Sequence, residues 1–114
     1  MQKTKTLVPN IIPKAGNYMS SIGKLLKLIR VHRSIPQGEM ANLLGVSQNF
    51  LSQVENEKKQ PSLTTLVNFA QRLSISKDIL FIAGCEVPPE LSDKDKVIFS
   101  DMQKSALQIL LLDN

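Results

Sequence analysis

The sequence predicts an all-α fold of six helices, and three observations predict it. Apolar residues recur three and four apart along most of the chain, the spacing of one helical face. Five runs open beside a serine able to cap a helix: Ser20 or Ser21, Ser47, Ser62, Ser76 and Ser92. Aromatic residues are scarce, with four Phe, one Tyr and no Trp among 114 residues, so the core must be aliphatic and an all-β design is disfavoured.

Residues 1–18 hold two Pro, one Gly, scattered Lys and no helical period, and read as a flexible basic arm. The first helix is expected over residues 21–33, with Ile22, Leu25, Leu26 and Ile29 on one face. Pro36 ends the segment, because Pro disfavours helical geometry in the residue before it. A short second helix spans 37–44 and stops at Gly45, which readily takes positive φ. A third follows Ser47 over 48–56. It buries Leu51 and Val54 and leaves Gln48, Asn49, Ser52 and Gln53 on the other side.

Residues 58–61 form a loop. Ser62 opens a fourth helix with a stripe of Leu63, Leu66, Val67, Ala70 and Leu73. Ser76 opens a fifth, containing Ile79, Leu80, Ile82 and Ala83 and closed by Gly84. Residues 85–91, with Pro88 and Pro89, read as a stiff linker. Ser92 opens the sixth helix, whose Asp93 and Asp95 suit its N-terminal dipole. Its expected stripe is Ile98, Met102, Ser105 with Ala106, Ile109 and Leu112.

The net charge is +4 and the pI about 9.4, but the charge is unevenly spread. Residues 1–33 carry seven Lys or Arg and no acid, whereas residues 86–114 carry six acids and three Lys. A basic first third beside an acidic last quarter suggests two faces with different partners, and the high pI fits nucleic acid. The longest aliphatic run, 109–112, is far too short to span a membrane. No signal peptide is legible at the N-terminus, so a cytoplasmic location is expected. One Cys (Cys85) and one His (His32) permit neither an internal disulfide nor a Cys/His metal site, and no cofactor is expected. Without a nucleophile–base pair, a placed carboxylate pair or a Gly-rich phosphate loop, no enzyme is expected.

Residues 37–53 carry the functional signal. Two helices of eight or nine residues joined by about three residues must cross steeply. Such a crossing needs a small residue, which Ala41 supplies, and a turn of positive φ, which Gly45 supplies. The third helix then presents amides and hydroxyls where a merely solvated face would carry Glu and Lys. Gln and Asn side chains both donate and accept, which suits the N6/N7 edge of adenine in the major groove.

This segment resembles the helix-turn-helix of the Cro/repressor family, also called the xenobiotic-response-element family, which includes lambdoid phage repressors. The resemblance rests on Gln37, Glu39, Ala41, Gly45, Ser47-Gln48, Leu51, Val54, Glu55 and Asn56, and covers residues 22–84. It implies a five-helix lambda-repressor-like DNA-binding domain over 19–84, preceded by the arm and followed by the linker and an additional C-terminal helix at 92–114. Gln37 would contact a phosphate at the start of helix two. Gln48, Asn49 and Gln53 would face bases, with Ser47 at the helix entry and Ser52 near the backbone or a base edge. Asn56, Lys58 and Lys59 would hold the sugar-phosphate backbone. Arg30 and Glu55 fall where the family often has a structural ion pair.

Three residues depart from the family pattern. Pro36 replaces a capping residue, at a cost of about 1 kcal/mol. Gly38 replaces a better helix former, and Glu57 replaces the usual Gly after Asn56. The implied function is a bacterial or phage transcription regulator, by the family's commonest mode a repressor, that binds double-stranded DNA as a homodimer on an inverted repeat. The apolar stretch 107–112 favours dimerisation over intramolecular packing, with a protein partner on the C-terminal helix as the other occupant. The rival reading is an antitoxin that docks a toxin through that segment and regulates its own operon. The arm either follows the minor groove or is a silent tail, the second being favoured.

Overall fold

The computed structural model describes residues 22–112. All six helices form: α1 (Ile22–His32), α2 (Gln37–Leu44), α3 (Gln48–Glu55), α4 (Leu63–Arg72), α5 (Lys77–Gly84) and α6 (Asp93–Leu112). No strand occurs among the described residues, and none of their helices is long and apolar enough to cross a membrane. The arm expected at 1–18 and the caps Ser20 and Ser21 lie outside the described residues.

Local chemistry sets the helix ends. The Oγ atoms of Ser47, Ser62, Ser76 and Ser92 accept the N–H groups of Phe50, Thr65, Ile79 and Asp95 at 3.0–3.2 Å. α2 instead starts after Pro36, which gives no side-chain cap. α1, α2, α3 and α4 all end in a Schellman turn, with a left-handed residue at Ser34, Gly45, Glu57 and Ser74. Glu57 itself takes the position that the family gives to Gly, at φ 62°. The residues that follow three of these turns, Ile35, Val46 and Ile75, fold back onto the core.

Two apolar clusters share α1. Leu26 joins Met40, Leu44, Leu51, Val54, Leu66 and Phe69 beneath the helix-turn-helix. Leu25 and Ile29 join Leu80, Ala83, Leu107, Leu110 and Leu111 between α5 and α6. α1 approaches α3 so closely that a Cβ on Gly23 would run into the carbonyl of Val54. α1 therefore braces the back of α3.

Two expectations, in α4 and α6, need correction. In α4, Leu63 is 67% exposed while Phe69, absent from the expected stripe, is 1% exposed. Leu63 stands in the first turn, beyond the edge of the core. α5 closes at Gly84 as expected, where the Ile22 side chain occupies the space of a Cβ. In α6 the expected stripe faces outward, with Ile98, Met102, Ile109 and Leu112 at 46–60% exposure. The helix docks through Gln103, Ala106, Leu107, Leu110 and Leu111 instead. Both faces are apolar, so the choice was made by fit to α5 and α1. Buried Gln103 fixes that choice: its Nε2 donates to the carbonyls of Ile82 and Cys85 at 3.0 and 2.6 Å. These lie at the end of α5, where carbonyls lack helical partners.

Candidate nucleic-acid interface

The site is built from α2, the turn at Gly45 and α3. Gly45 adopts φ 77°, and its N–H and that of Val46 bond to the carbonyls of Asn42 and Ala41. The short turn sends α3 off at an angle, with Leu51 and Val54 buried against α1, α2 and α4. Gln48 and Asn49 stand exposed at its N-terminus, while Ser52 and Gln53 are half-buried one turn later. No charged side chain interrupts this face.

A chain of hydrogen bonds runs from the interior to that face. Arg30 grips Glu55 with two parallel bonds, Nε to Oε2 at 2.7 Å and Nη2 to Oε1 at 3.0 Å. The pair is sequestered, with side-chain exposures of 13% and 2%. Arg30 Nη1 also donates to the carbonyl of Ile35 at 3.0 Å. Gln37 Nε2 donates to Glu55 Oε1 at 3.1 Å, and Gln48 Nε2 donates to Gln37 Oε1 at 3.2 Å.

The order of donors is forced. A carboxylate only accepts, so Gln37 must turn its NH2 to Glu55 and its oxygen outward. That oxygen in turn requires an N–H from Gln48. The buried ion pair therefore dictates how the exposed Gln48 amide points. Gly38 makes room for it, since Gln48 Oε1 lies 3.2 Å from where a Cβ would stand. The ion pair was expected from the resemblance. Its extension through Gln37 to Gln48 was not, because it depends on how the start of α2 packs against both ends of α3.

The loop after α3 folds back on it. The N–H groups of Lys58 and Lys59 both bond to the carbonyl of Gln53, at 2.8 and 3.2 Å. Lys59 Nζ lies 5.8 Å from the centroid of the Phe50 ring. Asn56 Nδ2 donates to Ser52 Oγ at 3.4 Å. Thus Asn56, Lys58 and Lys59 border the outward face of α3, and Gln37 and Ser47 lie at the starts of the two helices. Sequence reasoning missed Arg72, whose guanidinium packs over the Gly45 turn and reaches the Leu43 carbonyl at 3.5 Å. Only the packing of α4 on α2 places it there. Among the described residues no cluster of His, Cys, Asp or Glu is placed to hold a metal ion.

Comparison with known proteins converges on the same segment. A helix-turn-helix family model matches residues 26–80. The ImmF control region 10 kDa protein of Bacillus phage phi105 is 33% identical over 69 residues, which cover 60% of this chain and 77% of that protein. Uncharacterized HTH-type transcriptional regulators from two strains of Mycobacterium tuberculosis are each 32% identical over 92 residues. Those alignments cover 78% of this chain and 66% of each regulator. No solved structure gives a significant match.

Proposed function

This chain belongs to the Cro/repressor-type helix-turn-helix family, and from that premise we propose that it is a transcription regulator that binds double-stranded DNA. It acts as a dimer on an inverted-repeat operator and represses the promoter it covers. The observation that carries this reading is the outward face of α3, uncharged, rich in amides and held in orientation from the interior by Arg30 and Glu55. A face of this kind discriminates among base edges, whereas a basic face would bind phosphates indifferently.

In this reading Gln48, Asn49 and Gln53 face bases in the major groove, and Ser52 reaches a base edge or the backbone. Ser47 and Gln37 sit at helix starts, where backbone N–H groups meet phosphates. The Gln37 side chain is engaged within the protein, so its phosphate contact falls to the main chain. Asn56, Lys58 and Lys59 hold the sugar-phosphate backbone. One copy reads too few base pairs for selectivity in a genome, which is the argument for two.

The test is selection of bound sequences from a random duplex pool at near-physiological salt, followed by sizing of the selected complex. The expected result is a palindrome carrying two copies. Binding that is only non-specific and salt-sensitive would overturn the operator reading and turn attention to a protein ligand.

A further inference from the structure

We infer that the outward stripe of α6 is the surface on which two copies of this chain pair, with the two α6 helices antiparallel. This assigns the interface of the dimer proposed above and rests on that reading. Ile98, Met102, Ser105, Ile109 and Leu112 follow one another at intervals of four, three, four and three. That is the 3.5-residue repeat with which two helices pack along a seam. None of these five residues is used by the chain's own core, and α6 is already anchored through its opposite face. Ile79 and Ile82 of α5 line the same shallow groove beside Ile98, Met102 and Ile109.

Area favours a second copy over an idle surface. At exposures of 46–60%, Ile98, Met102, Ile109 and Leu112 lie along this face, with Ile79 and Ile82 beside them. The apolar area of this face, on the order of 400–500 Å², is comparable with the apolar share of a standard interface of about 800 Å² per partner.

Shape fixes the direction. An antiparallel seam sets Ile98 against Ile109 of the second copy and Met102 against its Ser105, large beside small at the centre. A parallel seam would set Ser105 on Ser105 and leave a void at its centre, which packing disfavours. The antiparallel seam also places Asp101 opposite Gln108 of the second copy, so no like charges meet.

The test is sedimentation of the full chain and of Ile109→Glu, free and with operator duplex. Residue 109 is exposed, so the variant should keep its helix content and melting temperature. The free wild type is expected to sediment as two copies. The variant's dimer dissociation constant is expected to rise by roughly 100-fold or more. In a Cys85→Ser background, Asp95→Cys with Leu112→Cys should form a linked dimer on oxidation, whereas Leu112→Cys alone should not. A linked dimer from Leu112→Cys alone would overturn the antiparallel arrangement. A variant that pairs like wild type, with two copies on the operator, would overturn this interface while leaving the dimer intact. Wild type that stays single both free and on DNA would overturn both readings.

Discussion

Gln48 is more constrained than an exposed glutamine ordinarily is. Its Nε2 is committed to Gln37, and its Oε1 rests above Gly38. In the proposed reading, the orientation for a bidentate pair is thus set before DNA arrives, and less side-chain entropy is lost on binding. Gln48→Ala should lower discrimination at one base position by about 1–3 kcal/mol and leave the others unchanged. Competition binding against operators altered one base at a time reads this directly. Gly38→Ala separates stability from readout at the same spot. It gains about 1 kcal/mol of helix propensity, so the melting temperature should rise. The new Cβ also presses on Gln48 Oε1, so discrimination at that base position should fall. A variant that melts higher and reads bases as before would mean that Gln48 adjusts freely.

Helix ends repeat one device with different residues. α1, α2, α3 and α4 all close on a left-handed residue, but only α2 uses glycine. A side chain in that conformation costs about 1–2 kcal/mol. Glu57→Gly should therefore stabilise the fold by about 1 kcal/mol, because the exposed Lys24–Glu57 pair at 3.5 Å that it removes is worth little. Urea unfolding should show a higher midpoint at unchanged slope. Much of this level was legible in the sequence, because caps and turns are local: Ser47, Ser62, Ser76, Ser92 and Gly45 each act within a few residues of themselves. The lost α2 cap was legible at Pro36 for the same reason. What stayed hidden depends on distant partners. Phe69 and Leu63 both lie near the apolar side of α4, and only the extent of the core separates them. α6 offers two apolar faces, so periodicity could not say which would dock. In the candidate interface, the outward residues of α3 were legible from composition, whereas the link from Glu55 to Gln37 required the start of α2 to meet the end of α3.

At the scale of the whole molecule, charge and copy number meet in a single measurable slope. Lys58 and Lys59 lie in the loop after α3, and Phe50 and the Gln53 carbonyl hold that loop against the helix. A cation so placed neutralises a phosphate whatever the neighbouring base, so Lys59→Ala should weaken operator and unrelated duplex by the same factor. Every phosphate left without its cation changes the slope of log K against log salt by about 0.9. With two copies on one operator the substitution frees two phosphates, so the slope should flatten by about 1.8 rather than 0.9. Titrations of wild type and Lys59→Ala from low to near-physiological salt measure the difference. A flattening of about 0.9 would place only one copy's loop on the DNA. An unchanged slope would remove Lys59 from the interface. A weakening confined to the operator would make it a reader of sequence, in conflict with its place in the loop rather than on the outward face of α3.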